Sequence, residues 1–346
     1  MRWEGQSTEE EAERRLPGLA SGGTIRTFDA PEAMGVEFME VEAKSALNRV
    51  PGNNLPFNWT VNPYRGCTHA CVYCFARPTH RYLDLDARED FEQKVVVKVN
   101  LPERLRVELE RPSWQGETVA LGTNTDPYQW VEGRYGLTRA IWEVLIEARN
   151  PASVLTKSSL LLRDIDLFKE LHEVAGFQAS LSIPTLDEKA WRATEPRTPH
   201  PRKRIEAVAE LSAAGIPVGV LVAPLMPGIN DAPEQVEEIL QLCAEAGAST
   251  VGGLGLHLKG EVKEIFLDWI RGHRPDLLAR YEELYAGGAF LPKSERGRIG
   301  RMLERGRRKA GVRAGSMEER RATARDRRPE REPRVKAAPD PQPSLF

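Results

Sequence analysis

Three of the four cysteines in this 346-residue chain stand together, as Cys67-Thr68-His69-Ala70-Cys71-Val72-Tyr73-Cys74, a C-x3-C-x2-C spacing. Thiolates are soft ligands and select zinc or iron–sulfur clusters. A structural zinc ordinarily takes four ligands, so zinc here would need His69 or His80 to complete a Cys3His set. An iron–sulfur cubane on three cysteines keeps one iron without a protein ligand, and an open coordination position is where substrate or cofactor chemistry takes place. The fourth cysteine, Cys243, lies in the apolar stretch Ile239-Leu240-Gln241-Leu242-Cys243 and reads as core packing. Four cysteines in a chain of this length do not make a disulfide scaffold.

Further polar clusters follow at regular intervals. They are Gly122-Thr123-Asn124-Thr125-Asp126-Pro127-Tyr128-Gln129, then Thr156-Lys157-Ser158-Ser159, then Ser180 and Ser182, then Pro224 to Asp231, then His257, Lys259 and Glu261. Each comes at the end of a short apolar run that reads as a strand: Asn58 to Asn62 before the cysteines, then Thr118 to Leu121, Ser153 to Thr156, Gln178 to Ile183, Ile216 to Val222 and Thr250 to Leu256. Between them, helical periodicity covers Leu101 to Arg111, Leu137 to Arg149, Leu162 to Val174, Arg202 to Ala214 and Pro233 to Ala246, with a last helix from Val262 to Arg271. Alternation of buried strands with helices predicts parallel βα units. Six strands are fewer than the eight of a closed barrel, so an open, partial (β/α)6 barrel is expected, with its site on the loops after the strands' carboxyl ends. Loops of that polarity, repeated at one end, point to an enzyme. Upstream, Val36 to Ala43 alternates well enough for one more strand, and residues 1–34 read as a loosely ordered lead-in. The expected organisation is an N-terminal extension over 1–43, the barrel over 44–300 and a basic, disordered tail over 301–346.

The net charge of −2 is an average of two unlike parts. Residues 301–346 carry 14 Lys/Arg against 7 Asp/Glu, leaving 35 against 44 in residues 1–300. The N-terminus is acidic and shows no secretory signal, and the longest apolar stretch, Ile216 to Ile229, is broken by three prolines and too short to span a bilayer. A cytoplasmic protein without a membrane partner is expected.

The cysteine loop, with the aromatic Tyr73 before its third cysteine, resembles the signature of the radical S-adenosylmethionine (SAM) superfamily. The segments NPYRGCTHACVYCFAR, GTNTDPYQWVE, LTKSSLLLRDIDLF, EPRTPHPRKRIEAVAELSAAGIPVGVLVAPLMPGIND and EVKEIF are similar to the branch related to spore photoproduct lyase, over about Lys44 to Gly272. The resemblance implies a [4Fe–4S] cluster on Cys67, Cys71 and Cys74, whose fourth iron binds SAM, and reductive cleavage of SAM to a 5′-deoxyadenosyl radical that abstracts a hydrogen atom from substrate. It implies that Tyr73 lies near adenine and that Lys157 pairs with the SAM carboxylate. Ser182 would be a second contact, with Ser180 an alternative. Thr123, Asn124 and Asp126 would occupy the loop that binds the SAM ammonium, although Asp126 also suits an Asp-Pro turn. Glu195 and Arg204 would clamp substrate or SAM, or form a structural ion pair. The lyase has a further cysteine as hydrogen-atom donor after its second strand; Leu121-Gly122-Thr123-Asn124 has no thiol there. Tyr128 is a speculative substitute as relay, with a packed aromatic as the alternative.

The resemblance implies nucleic acid as substrate, in DNA repair or modification, with an external electron donor. Modification of a peptide, RNA or small metabolite is the first alternative. A non-catalytic zinc or Fe–S nucleic-acid-binding protein is the second. The basic tail suits phosphate backbones. Its last residues, Gln342-Pro343-Ser344-Leu345-Phe346, resemble the peptide that binds the bacterial sliding clamp, with Gln342, Leu345 and Phe346 as anchors.

Overall fold

The computed structural model describes residues 24–33, 35–50 and 55–315. Its strands are β1 (Thr24–Arg26), β2 (Glu37–Val41), β3 (Asn48–Arg49), β4 (Trp59–Thr60), β5 (Tyr64–Arg65), β6 (Lys94–Lys98), β7 (Val119–Leu121), β8 (Ala152–Thr156), β9 (Phe177–Ser182), β10 (Val218–Leu225) and β11 (Thr250–Gly255). Seven form one sheet in the order β11-β10-β9-β8-β7-β4-β3. The six from β4 to β11 pair in parallel and in sequence order, and β3 adds antiparallel to the outer edge of β4. The two edge strands do not meet. The expected partial (β/α)6 barrel is therefore present and open.

Apolar strand faces and helix stripes explain the core. In the helix Leu137–Glu147, Leu137, Ile141, Val144 and Leu145 recur at helical spacing and are all buried. Phe168 of the next helix stacks on Phe177 of β9 at 4.4 Å, and Trp142 packs edge-on to both. Inside the barrel, the alternate residues Thr60, Ala120, Ser153, Leu155, Gln178, Ser180 and Thr250 line a cavity of about 930 Å³. Among the described residues no helix is long and apolar enough to cross a membrane.

Two features depart from the expected organisation. β6 was not foreseen. Its KVVVK run lies in a four-stranded sheet of order β1-β2-β6-β5, pairing in parallel with β2. The boundary at residue 43 thus divides a sheet that spans both sides of it. The second departure is a correction. Residues 301–310, expected to be disordered, finish the helix Lys293–Ala310. Ile299, Met302, Leu303 and Gly306 form a buried seam one helical turn apart, and Gly306 lies so close to Leu240 that a Cβ would come within 2.4 Å of it. Arg305 and Lys309 also pair with Glu237. Arginines dilute this seam in the sequence without removing it. The tail from residue 316, including Gln342, Leu345 and Phe346, lies outside the described residues, as does most of the lead-in.

Candidate active site

The cysteine loop leaves β4 and β5 at the carboxyl end of the barrel. Its shape is fixed through its backbone. The Cys67 amide donates to Phe91 O at 3.0 Å, Val72 to Thr194 O at 3.1 Å and Cys74 to Cys71 O at 3.2 Å. The buried Arg77 guanidinium donates to Cys71 O at 3.0 Å, Ala70 O at 3.2 Å, Ala87 O at 3.2 Å and Arg88 O at 2.8 Å, and pairs with Glu92 at 2.8 Å. The side chains of Cys67, Cys71 and Cys74 are thereby left without a backbone-holding task, and all three are free thiols.

These thiols lie close enough to influence one another. Burial first, and then nearby Glu195, Cys74 and Cys67, push the Cys71 thiol well above its ordinary pKa, with Lys157 opposing. Burial and Cys67 raise Cys74 likewise. Three thiolates in so buried a place need a cationic group among them, which suits a metal cluster. Among the described residues no three His, Cys, Asp or Glu side chains converge as ligands of a single ion would. His80, one candidate fourth zinc ligand, places Nε2 2.9 Å from Lys94 O and packs edge-on to Phe91. His69, the other, turns Nδ1 to Asp126 at 3.3 Å.

The polar strand ends gather beside this loop. Asp126 accepts from Thr156 Oγ1 at 2.6 Å, from the Lys157 amide at 2.8 Å and from the Tyr128 amide at 2.9 Å. Burial alone would raise its carboxyl, but His69 and these donors outweigh burial and hold it at about 2. Burial would lower His69, yet Asp126 and the Cys67 thiol lift it to about 10. Asp126 thus ties the loop after β7 to the end of β8 and positions Lys157.

Five residues singled out from sequence come together in one network. Lys157 Nζ donates to Ser182 Oγ at 2.9 Å, lies 3.7 Å from Glu195 Oε1 and stands 5.7 Å from the centre of the Tyr73 ring. Tyr73 donates its hydroxyl to Glu195. Arg204 donates to Glu195 Oε2 at 2.6 Å, to Ser182 O at 2.9 Å and to Pro199 O at 3.0 Å. Glu195 and Arg204 are fully buried and form an ion pair that anchors Tyr73 and Lys157. Burial would lift the Glu195 carboxyl, but Arg204, Lys157 and Tyr73 outweigh it and keep it low.

Thr123 and Asn124 line the barrel cavity, and Ser180 faces it from β9. Tyr128 does not. It is buried, donates to Asp164 at 2.8 Å, accepts from Trp142 Nε1 at 2.8 Å and lies outside the cavity wall. These contacts fit the alternative of a packed aromatic, with both hydrogen-bonding needs met. Cys243 is fully buried on the helix Pro233–Glu245, and burial pushes its thiol up to about 12. Gly122, in the Leu121-Gly122-Thr123-Asn124 stretch that carries no thiol, has φ 86°, and a Cβ there would lie 1.8 Å from Leu155 O. No side chain fits that position. Arg77, His69 and Thr156 escaped the sequence reading as supports; their only signal was proximity to the cysteines and to a strand end.

A soft-ligand loop at the carboxyl edge of an open six-stranded barrel defines a class, the barrel enzymes that carry a metal cluster on three cysteines. The chain belongs to the radical SAM superfamily, whose family profile matches residues 61–243, just over half of it. An uncharacterized protein of Mycobacterium tuberculosis is 47% identical over 282 residues, 81% of this chain and 83% of that protein. A radical SAM Nalpha-GlyT isomerase of Pseudomonas phage M6 is 29% identical over 172 residues, 48% of this chain and 33% of the phage protein. A spore photoproduct lyase mutant solved with dinucleoside spore photoproduct shares the fold, with a TM-score of 0.60 at 16% identity over 89% of this chain and 88% of that one. A second lyase mutant, solved with bound AdoMet and the same dinucleoside, gives 0.59 at 15% identity over 88% and 87%. The protein is a radical SAM enzyme, and the family implies a [4Fe–4S] cluster and SAM. The non-catalytic zinc or Fe–S reading is thereby overturned.

Proposed function

We propose that Cys67, Cys71 and Cys74 hold the [4Fe–4S] cluster, that SAM lies against Lys157, Ser182, Tyr73, Thr123 and Asn124, and that the enzyme takes a hydrogen atom from nucleic acid in DNA repair or modification. The observation that carries this reading is the Lys157–Ser182–Glu195–Tyr73 network beside the three free thiols. Bound together, cluster and SAM supply one-electron cleavage of SAM to a 5′-deoxyadenosyl radical. The chain's own residues orient and shield that chemistry.

Lys157 suits the SAM carboxylate, because only Ser182 and a longer contact to Glu195 occupy its ammonium. The Glu195–Arg204 pair holds Tyr73 from behind, so the ring can present a face to adenine. The Asp126 carboxylate is spent on His69, Thr156 and two amides. Its role is to set the position of Thr123, Asn124 and Lys157, and a salt bridge to the SAM ammonium is not assigned to it.

Support for a nucleic-acid substrate comes from the likeness to the lyase solved with dinucleoside spore photoproduct and from the basic C-terminal residues. The absence of a thiol from Leu121-Gly122-Thr123-Asn124 favours a modification, or a repair step without a cysteine hydrogen donor. Gln342, Leu345 and Phe346 would add a sliding-clamp contact. The test is anaerobic reconstitution. With dithionite in place of the external electron donor, the protein should show iron–sulfur absorption and release 5′-deoxyadenosine from SAM, and each Cys→Ala variant should lose both. Stoichiometric zinc with no SAM turnover would overturn the assignment.

A further inference from the structure

The barrel cavity has a one-sided charge. Among the described residues its lining includes Lys98, Arg65 and Arg313 and no Asp or Glu, although residues 1–300 hold 44 acidic against 35 basic side chains. Lys98 is the unusual member. It reaches into the cavity from β6, outside the barrel, and is about nine-tenths buried. One of its three donors goes to Asn62 O at 2.9 Å, a neutral carbonyl. Buried lysines are ordinarily paired with a counter-charge, because an unpaired buried ammonium is costly. The neighbouring charge that acts on it is of the same sign. Arg65, on the adjoining β5, lines the same cavity, held by Thr79 O at 3.4 Å and the ring of Tyr82 at 5.9 Å. Burial and Arg65 together lower Lys98 to about 7, so an anion entering the cavity would restore its charge.

We propose that Lys98, with Arg65 beside it, is the anion clamp of the substrate chamber and binds a phosphate group of the substrate. Asn62 supplies a neutral donor on the same cavity wall. A cavity of about 930 Å³ admits a nucleotide-sized group, and a cationic chamber in an acidic body draws anions inward. Phe75, 62% exposed and directly after Cys74, flanks the chamber and offers an aromatic surface beside it. The SAM carboxylate is the other anion available, but Lys157 stands with the thiols and already suits it. The inference rests on the nucleic-acid reading for its substrate class and adds the group recognised and the residues that do so.

The test compares the dinucleotide TpT with its uncharged methylphosphonate analogue, titrated calorimetrically into the reconstituted holoenzyme with SAM present. Charge-assisted hydrogen bonds of this kind correspond to roughly 10- to 100-fold in affinity. The wild type should prefer TpT by about that factor, and Lys98→Met should bring the ratio near one. Lys98→Arg should keep a preference. Because each protein is its own reference, a general loss of folding or of SAM binding does not mimic this result. An equal preference in wild type and Lys98→Met would overturn the proposal. If the wild type binds neither dinucleotide, the nucleic-acid reading fails by itself. Inorganic pyrophosphate then decides the clamp: binding to wild type that Lys98→Met lacks keeps it, and equal or absent binding overturns it.

Discussion

Replacing Lys98 by Met should make the apo-protein more stable, by an amount that depends on pH. An exposed lysine has a pKa of 10.5, and burial together with Arg65 lowers that of Lys98 to about 7. The difference corresponds to about 5 kcal/mol at 1.36 kcal/mol per pH unit, an upper figure because local rearrangement and water relieve part of it. Below pH 7 the ammonium is charged in both states, and the folded chain bears the full cost. Between pH 7 and 10.5 the unfolded chain holds a proton that the folded chain has released, so stability rises with pH. Above 10.5 the cost has gone. Methionine has similar length and no charge. Lys98→Met should therefore unfold at higher urea than wild type at pH 6 to 7, with the gap narrowing by about 1.4 kcal/mol per pH unit above 7. Urea titrations followed by tryptophan fluorescence at pH 6, 7.5, 9 and 10 measure this directly. Parallel curves, or a less stable variant at pH 6, would refute the claim that this ammonium lacks a counter-charge.

Two other substitutions probe the network around the cysteines. Glu195→Gln leaves the Arg204 guanidinium charged and fully buried without its partner, and should cost about 3–5 kcal/mol in urea unfolding; adding Arg204→Met should recover most of that. Tyr128→Phe removes a buried hydroxyl that serves both Asp164 and Trp142, and should cost about 1–3 kcal/mol while SAM cleavage by the reconstituted enzyme stays within about twofold of wild type. A loss of cleavage far beyond the loss of stability would return Tyr128 to a role in the chemistry.

Much of the site was legible because its chemistry is local in sequence. The cysteine spacing sits within eight residues, and Thr123, Lys157 and Ser182 each lie at or just after the end of a strand that its apolar run marks. What remained hidden depends on contacts distant along the chain. Nothing near Lys94–Lys98 announces that it pairs with Glu37–Val41, some 57 residues earlier, so neither that strand nor the inward reach of Lys98 could be read. Glu195 and Arg204 could be named as a pair or as a clamp; their complete burial and their contacts to Ser182 O and Tyr73 could not be read from sequence. The last helix, rich in Arg, reads as a solvated tail until Leu240 and Glu237 are seen against Gly306, Arg305 and Lys309.

The central claim is hydrogen abstraction from nucleic acid by a radical made at Cys67, Cys71 and Cys74. The most direct test supplies uniformly deuterated duplex DNA, ultraviolet-irradiated or not, to the reconstituted enzyme with SAM and dithionite, and reads the mass of the 5′-deoxyadenosine released. The account predicts 5′-deoxyadenosine carrying deuterium from the DNA, and none from the Cys→Ala variants. Release at the same rate with and without DNA, with no deuterium in the product, would contradict it.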